Sequence, residues 1–104
     1  MPDPADYIET LQYAIRSAHG CEAKHVATEN IREEFQGKTV WVGVVEIFDL
    51  TGHATAQRAY AWGHAARDAG NEVRIVTVLG LPPVDSARKA VQVSILNDIK
   101  NRQN

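Results

Sequence analysis

The sequence lacks the ingredients of several specialised classes of protein. Only one of its 104 residues is a cysteine. An intramolecular disulfide is therefore excluded, and so is a zinc site built from several thiolates. Neither sign of charge dominates, since 11 bases stand against 13 acids for a formal net charge of -2. That balance argues against a dedicated polyanion binder, although it permits a local basic face. No apolar run approaches the roughly 20 residues that a helical membrane span requires. The opening Met1-Pro2-Asp3-Pro4 lacks the basic and apolar regions of a secretory leader. These absences lead to the expectation of a cytoplasmic chain with no membrane contact, no cofactor and no bound metal.

What is present suits a folded domain. The chain is 44% hydrophobic and 23% charged, which is ordinary for a globular protein and too apolar for disorder. Its length serves one core, so residues 1–104 read as a single domain. Asp3 can cap a first helix, with Pro4 at its first position and Asp6 near its positive end. Ile8, Leu11, Ile15 and Ala18 form an apolar stripe at spacings of three and four, and Gly20 is a natural stop. The spacing predicts a helix from Pro4 to His19. From His25 to Gln36, Ala27, Ile31 and Phe35 lie on one side among polar residues, which reads as an edge strand closing in a hairpin at Gln36-Gly37-Lys38. Thr39 to Leu50 is β-branched or aromatic at both parities and reads as a central strand covered on both sides. A turn at Thr51-Gly52-His53 leads to a strand over Thr55 to His64, and a turn at Arg67 to Asn71 to one over Val73 to Leu79. Pro82-Pro83 ends that strand, and Asp85 or Ser86 caps a closing helix striped by Ala87, Val91, Ile95 and Ile99. Lys100 and Arg102 suit its negative end. The fold expected is α+β, an antiparallel three- to four-stranded meander flanked by an N-terminal and a C-terminal helix.

A tight turn centred on Gly52 sets Val44 opposite Tyr60, Val42 opposite Trp62 and Glu46 opposite Arg58, the last a cross-strand ion pair. One sheet face then holds Trp41, Val45, Ile47, Ala59, Ala61, Ile75 and Leu79, where the small alanines admit a helix. The other holds Val40, Val42, Val44, Phe48, Tyr60, Trp62, Val76 and Val78, with Glu46, Arg58, His64 and Arg74 among them. Two helices on the first face would leave the second bare and in need of a partner, most simply a second copy related by a two-fold axis near Trp62. One helix on each face would instead close the core within one chain. Residues 1–52 carry nine acids and four bases, and residues 53–104 four acids and seven bases, an asymmetry that neighbouring ion pairs can absorb.

Candidate chemistry is sparse. His19, Cys21, Glu22 and His25 are the one local cluster of metal-capable side chains, but their spacing fits no zinc pattern. Asp49 and His53 could form a carboxylate–imidazole pair, though no nucleophile lies nearby and His53 suits hydrogen bonding within its turn. His53 and His64 would stand over about 30 Å apart along a straight strand and cannot share a site. Arg58, Tyr60, Trp62 and His64 form a basic and aromatic stripe able to stack a planar ligand or to anchor an interface. These four are the candidate binding residues; none is assigned a catalytic role.

The segments Phe48-Asp49-Leu50-Thr51-Gly52-His53, Ala59-Tyr60-Ala61-Trp62 and Leu81-Pro82-Pro83-Val84 resemble a family of short bacterial proteins, over about residues 5 to 98. No activity is attached to that family, so the resemblance implies a small self-contained bacterial domain and carries over no functional residue. The order helix, strands, helix also resembles the double-stranded RNA-binding domain. Gly52-His53 stands in its loop, and Arg88 and Lys89 in place of its phosphate-contacting lysines. An acidic chain without the proline that follows the loop glycine departs from that pattern. The function expected is a small binding or interaction module, homodimeric through an apolar sheet face. The alternatives are a duplex RNA binder and, third, an enzyme acting on a small molecule through Arg58, Tyr60, His64 or Asp49.

Overall fold

A computed structural model describes residues 4–65 and 73–102. The order is α1 (Pro4–His19), β1 (Glu22–Phe35), β2 (Lys38–Thr51), β3 (Arg58–Ala65), β4 (Val73–Leu79) and α2 (Ala87–Arg102). The strands form one antiparallel sheet in the order β1-β2-β3-β4, so the chain is the α+β meander with terminal helices that its patterning predicts. The Asp3 cap and the turn at Arg67 to Asn71 lie outside the described residues, as do the side chains of His64, Arg74, Ile99, Lys100 and Arg102. Among the described residues, no helix is long and apolar enough to cross a membrane.

Local signals act as their chemistry requires. Gly20, at φ 66°, donates its N–H to the Arg16 carbonyl at 2.9 Å and stops α1 in the left-handed conformation that glycine adopts most readily. Gln36 and Gly37 both have positive φ, 54° and 79°, which is what a two-residue hairpin turn between right-twisted strands demands. The Ser86 hydroxyl accepts the Lys89 N–H at 3.2 Å, so Ser86 rather than Asp85 caps α2.

The register between β2 and β3 differs from the tight-turn expectation. Arg58 lies opposite Asp49, Tyr60 opposite Ile47 and Ala61 opposite Glu46; Glu46 does not meet Arg58, nor Val44 Tyr60, nor Val42 Trp62. The cause is His53. Its Nδ1 accepts the N–H groups of Thr55 and Ala56 at 3.1 and 2.9 Å, stabilising a connection that runs from Gly52 to Gln57 with Ala56 buried. The strand pairing moves by three positions, and an odd shift turns every β2 side chain to the other face relative to β3.

That parity decides the architecture. Phe48 joins Ala59 and Ala61 in one buried cluster with Leu11, Ile15 and Cys21, against which Leu79 packs, so α1 lies on this face. Val45 and Ile47 join Tyr60 and Trp62 beneath Val84, Ala87, Ala90 and Val91, so α2 covers the opposite face. The helices therefore do not share a face. Trp62, expected on a bare face, is 2% exposed and meets Trp41 edge-on with ring centroids 5.7 Å apart. The alanines admit a helix as anticipated, and that helix is α1. Polar contacts fix α2 as well: Arg88 donates to the Arg32 carbonyl and to Glu33 Oε1, each at 2.9 Å, and Gln92 to the same Glu33 oxygen at 3.3 Å.

β2 and β3 stay paired only from Glu46 to Asp49 on β2. Continued by one more hydrogen-bonded step, the register would set Gly63 opposite Val44. The Gly63 N–H instead donates to the Tyr7 hydroxyl of α1 at 2.8 Å. The first half of β2 thus leaves β3 and runs on with β1 as a two-stranded arm, with register shifts at His25/Ala27 and at Glu33/Glu34.

Candidate functional site

An open cleft of about 830 Å³ lies where β2 ends, β3 begins and β4 hands over to α2. Asp49 and Leu50 come from β2, Gln57, Arg58 and Tyr60 from the approach to β3 and from β3 itself, and Gly80, Pro82, Pro83, Val84 and Asp85 from the last connection. Backbone contacts hold that connection close. The Gly80 N–H donates to the Arg58 carbonyl at 2.7 Å, and the Val84 N–H to the Leu81 carbonyl at 2.7 Å. A Cβ on residue 80 would come within 3.1 Å of the Arg58 carbonyl oxygen, so a glycine fits this approach best. Val84 is buried against the α2 side of the sheet, which ties the loop to the core.

Charge in the cleft is partly spent. Arg58 Nε and Nη2 both donate to Asp49 Oδ1 at 3.2 Å. Tyr60 is buried in the wall. Burial raises its phenol pKa above the ordinary value, Arg58 opposes that shift, and Asp85 and Glu29 add to it. Burial therefore favours the neutral phenol over the phenolate.

Two of the four candidate binding residues, Arg58 and Tyr60, come together here. Trp62 does not reach the cleft and serves the core under α2. His64 stands opposite Arg74 in the β3–β4 ladder, and its side chain is not among those described. Asp85 and the two prolines carry no cleft signal in the sequence: local chemistry marks Pro82-Pro83 only as the end of a strand, and the fold alone brings them beside Arg58. The segments Phe48–His53, Ala59–Trp62 and the more distant Leu81–Val84 each contribute to this cleft.

The remaining histidines have separate duties. His25 Nε2 donates to Glu46 Oε1 at 2.8 Å, and the Thr28 hydroxyl donates to the same oxygen. Thr28 Oγ1 also lies 3.3 Å from His25 Nε2. Both contacts use one ring nitrogen, so the group is no hydroxyl–imidazole–carboxylate relay, which needs both nitrogens. Its effect is to satisfy a buried carboxylate. His19 Nε2 lies 3.0 Å from Thr77 Oγ1. Burial and then the neighbouring His53 lower its pKa below the ordinary imidazole value. Cys21 is buried under α1 and Glu22 pairs with Arg16, so the local metal-capable cluster is dispersed. Among the described residues, no group of three or more histidine, cysteine or acidic side chains converges. Asp49 turns to Arg58 rather than to His53.

No family model, curated protein or solved structure matches the chain.

Proposed function

We propose that the protein is a small cytoplasmic interaction module that works as a homodimer, its copies meeting through the apolar face of the β1–β2 arm. The observation that carries this reading is the exposure of Val40, Val42 and Val44, at 49%, 71% and 42%, on a stretch of β2 that β3 does not pair. An unpaired strand edge with exposed valines beside it is a surface that proteins ordinarily cover. Burying the exposed parts of three valines on each of two copies is worth about 5 kcal/mol. That sum sits near the low end of the roughly 4–15 kcal/mol that association costs, so the dimer is concentration-dependent. The Arg32–Glu34 pair, at 3.4 Å beside Val42, gives each copy both signs of charge to offer its mate. A lone buried thiol suits a reducing compartment. Duplex RNA binding gains no support from Arg88, whose guanidinium is engaged by Glu33.

Light scattering across a concentration series tests the proposal. The unmodified protein should move from monomer toward dimer as concentration rises. Val42→Glu should stay monomeric with its melting curve retained, because the site is exposed within one chain. A monomer at every concentration refutes the reading, and so does a Val42→Glu protein that dimerises like its parent.

A further inference from the structure

The cleft beside Tyr60 offers a second surface, lined by none of the valines of the arm, with an uneven charge balance. Of its three charged walls, Arg58 and Asp49 neutralise each other at 3.2 Å. Asp85 is left, and it has no ion-pair partner among the described residues. Leu50, Pro82, Pro83 and Val84 give the same cleft an apolar lining, and Tyr60 closes it with a side chain more than nine-tenths buried. We propose that this cleft binds a monovalent organic cation, a guanidinium or primary ammonium carried on an apolar stem, with the charge at Asp85 and the stem along Leu50 and the prolines.

Two features select a cation over an anion. An anion would have to share Arg58 with Asp49 and then sit between two carboxylates. The start of α2, which could otherwise attract an anion, has its Lys89 N–H bonded to Ser86 and carries the Asp85 charge immediately before the cap. The volume, about 830 Å³, lies within the range of small-molecule sites, and its openness leaves the far end of a ligand in solvent. The same head group could arrive on a free amine or on an arginine side chain of another protein.

Amide-resolved NMR titration tests this with n-butylguanidinium, with a capped arginine peptide, and with inorganic phosphate and butyrate as anionic controls. Both cationic probes should shift the Leu50, Gly80 and Val84 amides saturably, and added salt should weaken them. Asp85→Asn should weaken binding by about tenfold while leaving the melting curve close to that of the parent. A peptide binding far more tightly than n-butylguanidinium assigns the site to a protein partner's arginine, and equal affinities assign it to a small molecule; either upholds the cation site. Absence of saturable shifts with both cations overturns the proposal, as does saturable binding of phosphate that Arg58→Ala abolishes. The Val42→Glu monomer, run in parallel, separates a failure of this site from a failure of self-association.

Discussion

Gly43 is where adding one methyl group should tell most about how the sheet is packed. The Trp41 ring lies forward along β2 over Gly43, and a Cβ built on Gly43 would stand 3.0 Å from Trp41 Cη2 and 3.4 Å from Cζ2 and Cζ3. Trp41 in turn meets Trp62 edge-on at 5.7 Å, so the ring cannot move away without disturbing the contact that roofs the core. Three effects compete in Gly43→Ala. Overpacking a fitted site costs about 1–3 kcal/mol, and weakening the aromatic pair costs about 0.5–1.5 kcal/mol. The smaller conformational freedom of alanine in the unfolded chain returns about 0.4–1 kcal/mol. The balance is a loss of about 2 kcal/mol, which for a domain of this size lowers Tm by about 8–16 °C. Thermal melts followed by tryptophan fluorescence, with near-ultraviolet circular dichroism of the folded state, measure both the loss and the displaced ring. In a Trp41→Leu background the same change should be neutral or slightly stabilising, since the colliding ring is gone. A Gly43→Ala protein that melts at or above the parent temperature, with an unchanged near-ultraviolet spectrum, refutes the packing argument.

Two further outcomes follow from single contacts. Tyr7→Phe removes the acceptor for the Gly63 N–H and should destabilise by about 1–2 kcal/mol, read from urea denaturation midpoints; an unchanged midpoint would mean that water serves that amide equally well. His19, whose pKa is lowered by burial and by His53, is stabilised in its neutral form by folding. The unfolded state therefore binds its proton more readily, so its contribution is present above the ordinary imidazole value and is lost as pH falls through the folded value. Urea titrations from neutral to mildly acidic pH should show stability falling, with a shallower fall in His19→Gln, and equal slopes in the two proteins would contradict that role.

Local chemistry in the sequence sufficed for the elements, because each signal acts on its immediate neighbours. Ile8, Leu11 and Ile15 mark one helix face, Gly20 ends it, Gln36-Gly37 turns the hairpin, and Arg58, Tyr60 and Trp62 share one side of their strand. A small part of the cleft was legible in the same way, since alternation alone sets Arg58 and Tyr60 on one side of their strand. What alternation cannot supply is the phase of one strand against the next. A connection centred on Gly52 and one stretched to Gln57 by the His53 ring are both compatible with the local sequence, yet they differ by an odd number of positions. That difference turned Phe48 toward α1, brought Val45 and Ile47 beside Trp62, and gave each helix its own face. It also moved the exposed apolar surface from Trp62 to the arm around Val42, while the pairing of β3 with β4, through the Gly80 bond to the Arg58 carbonyl, set Asp85 and the two prolines against Arg58. Periodicity of two is a property of one strand, but register is an agreement between strands made by a loop's length and hydrogen bonds, and only the tertiary structure decides it.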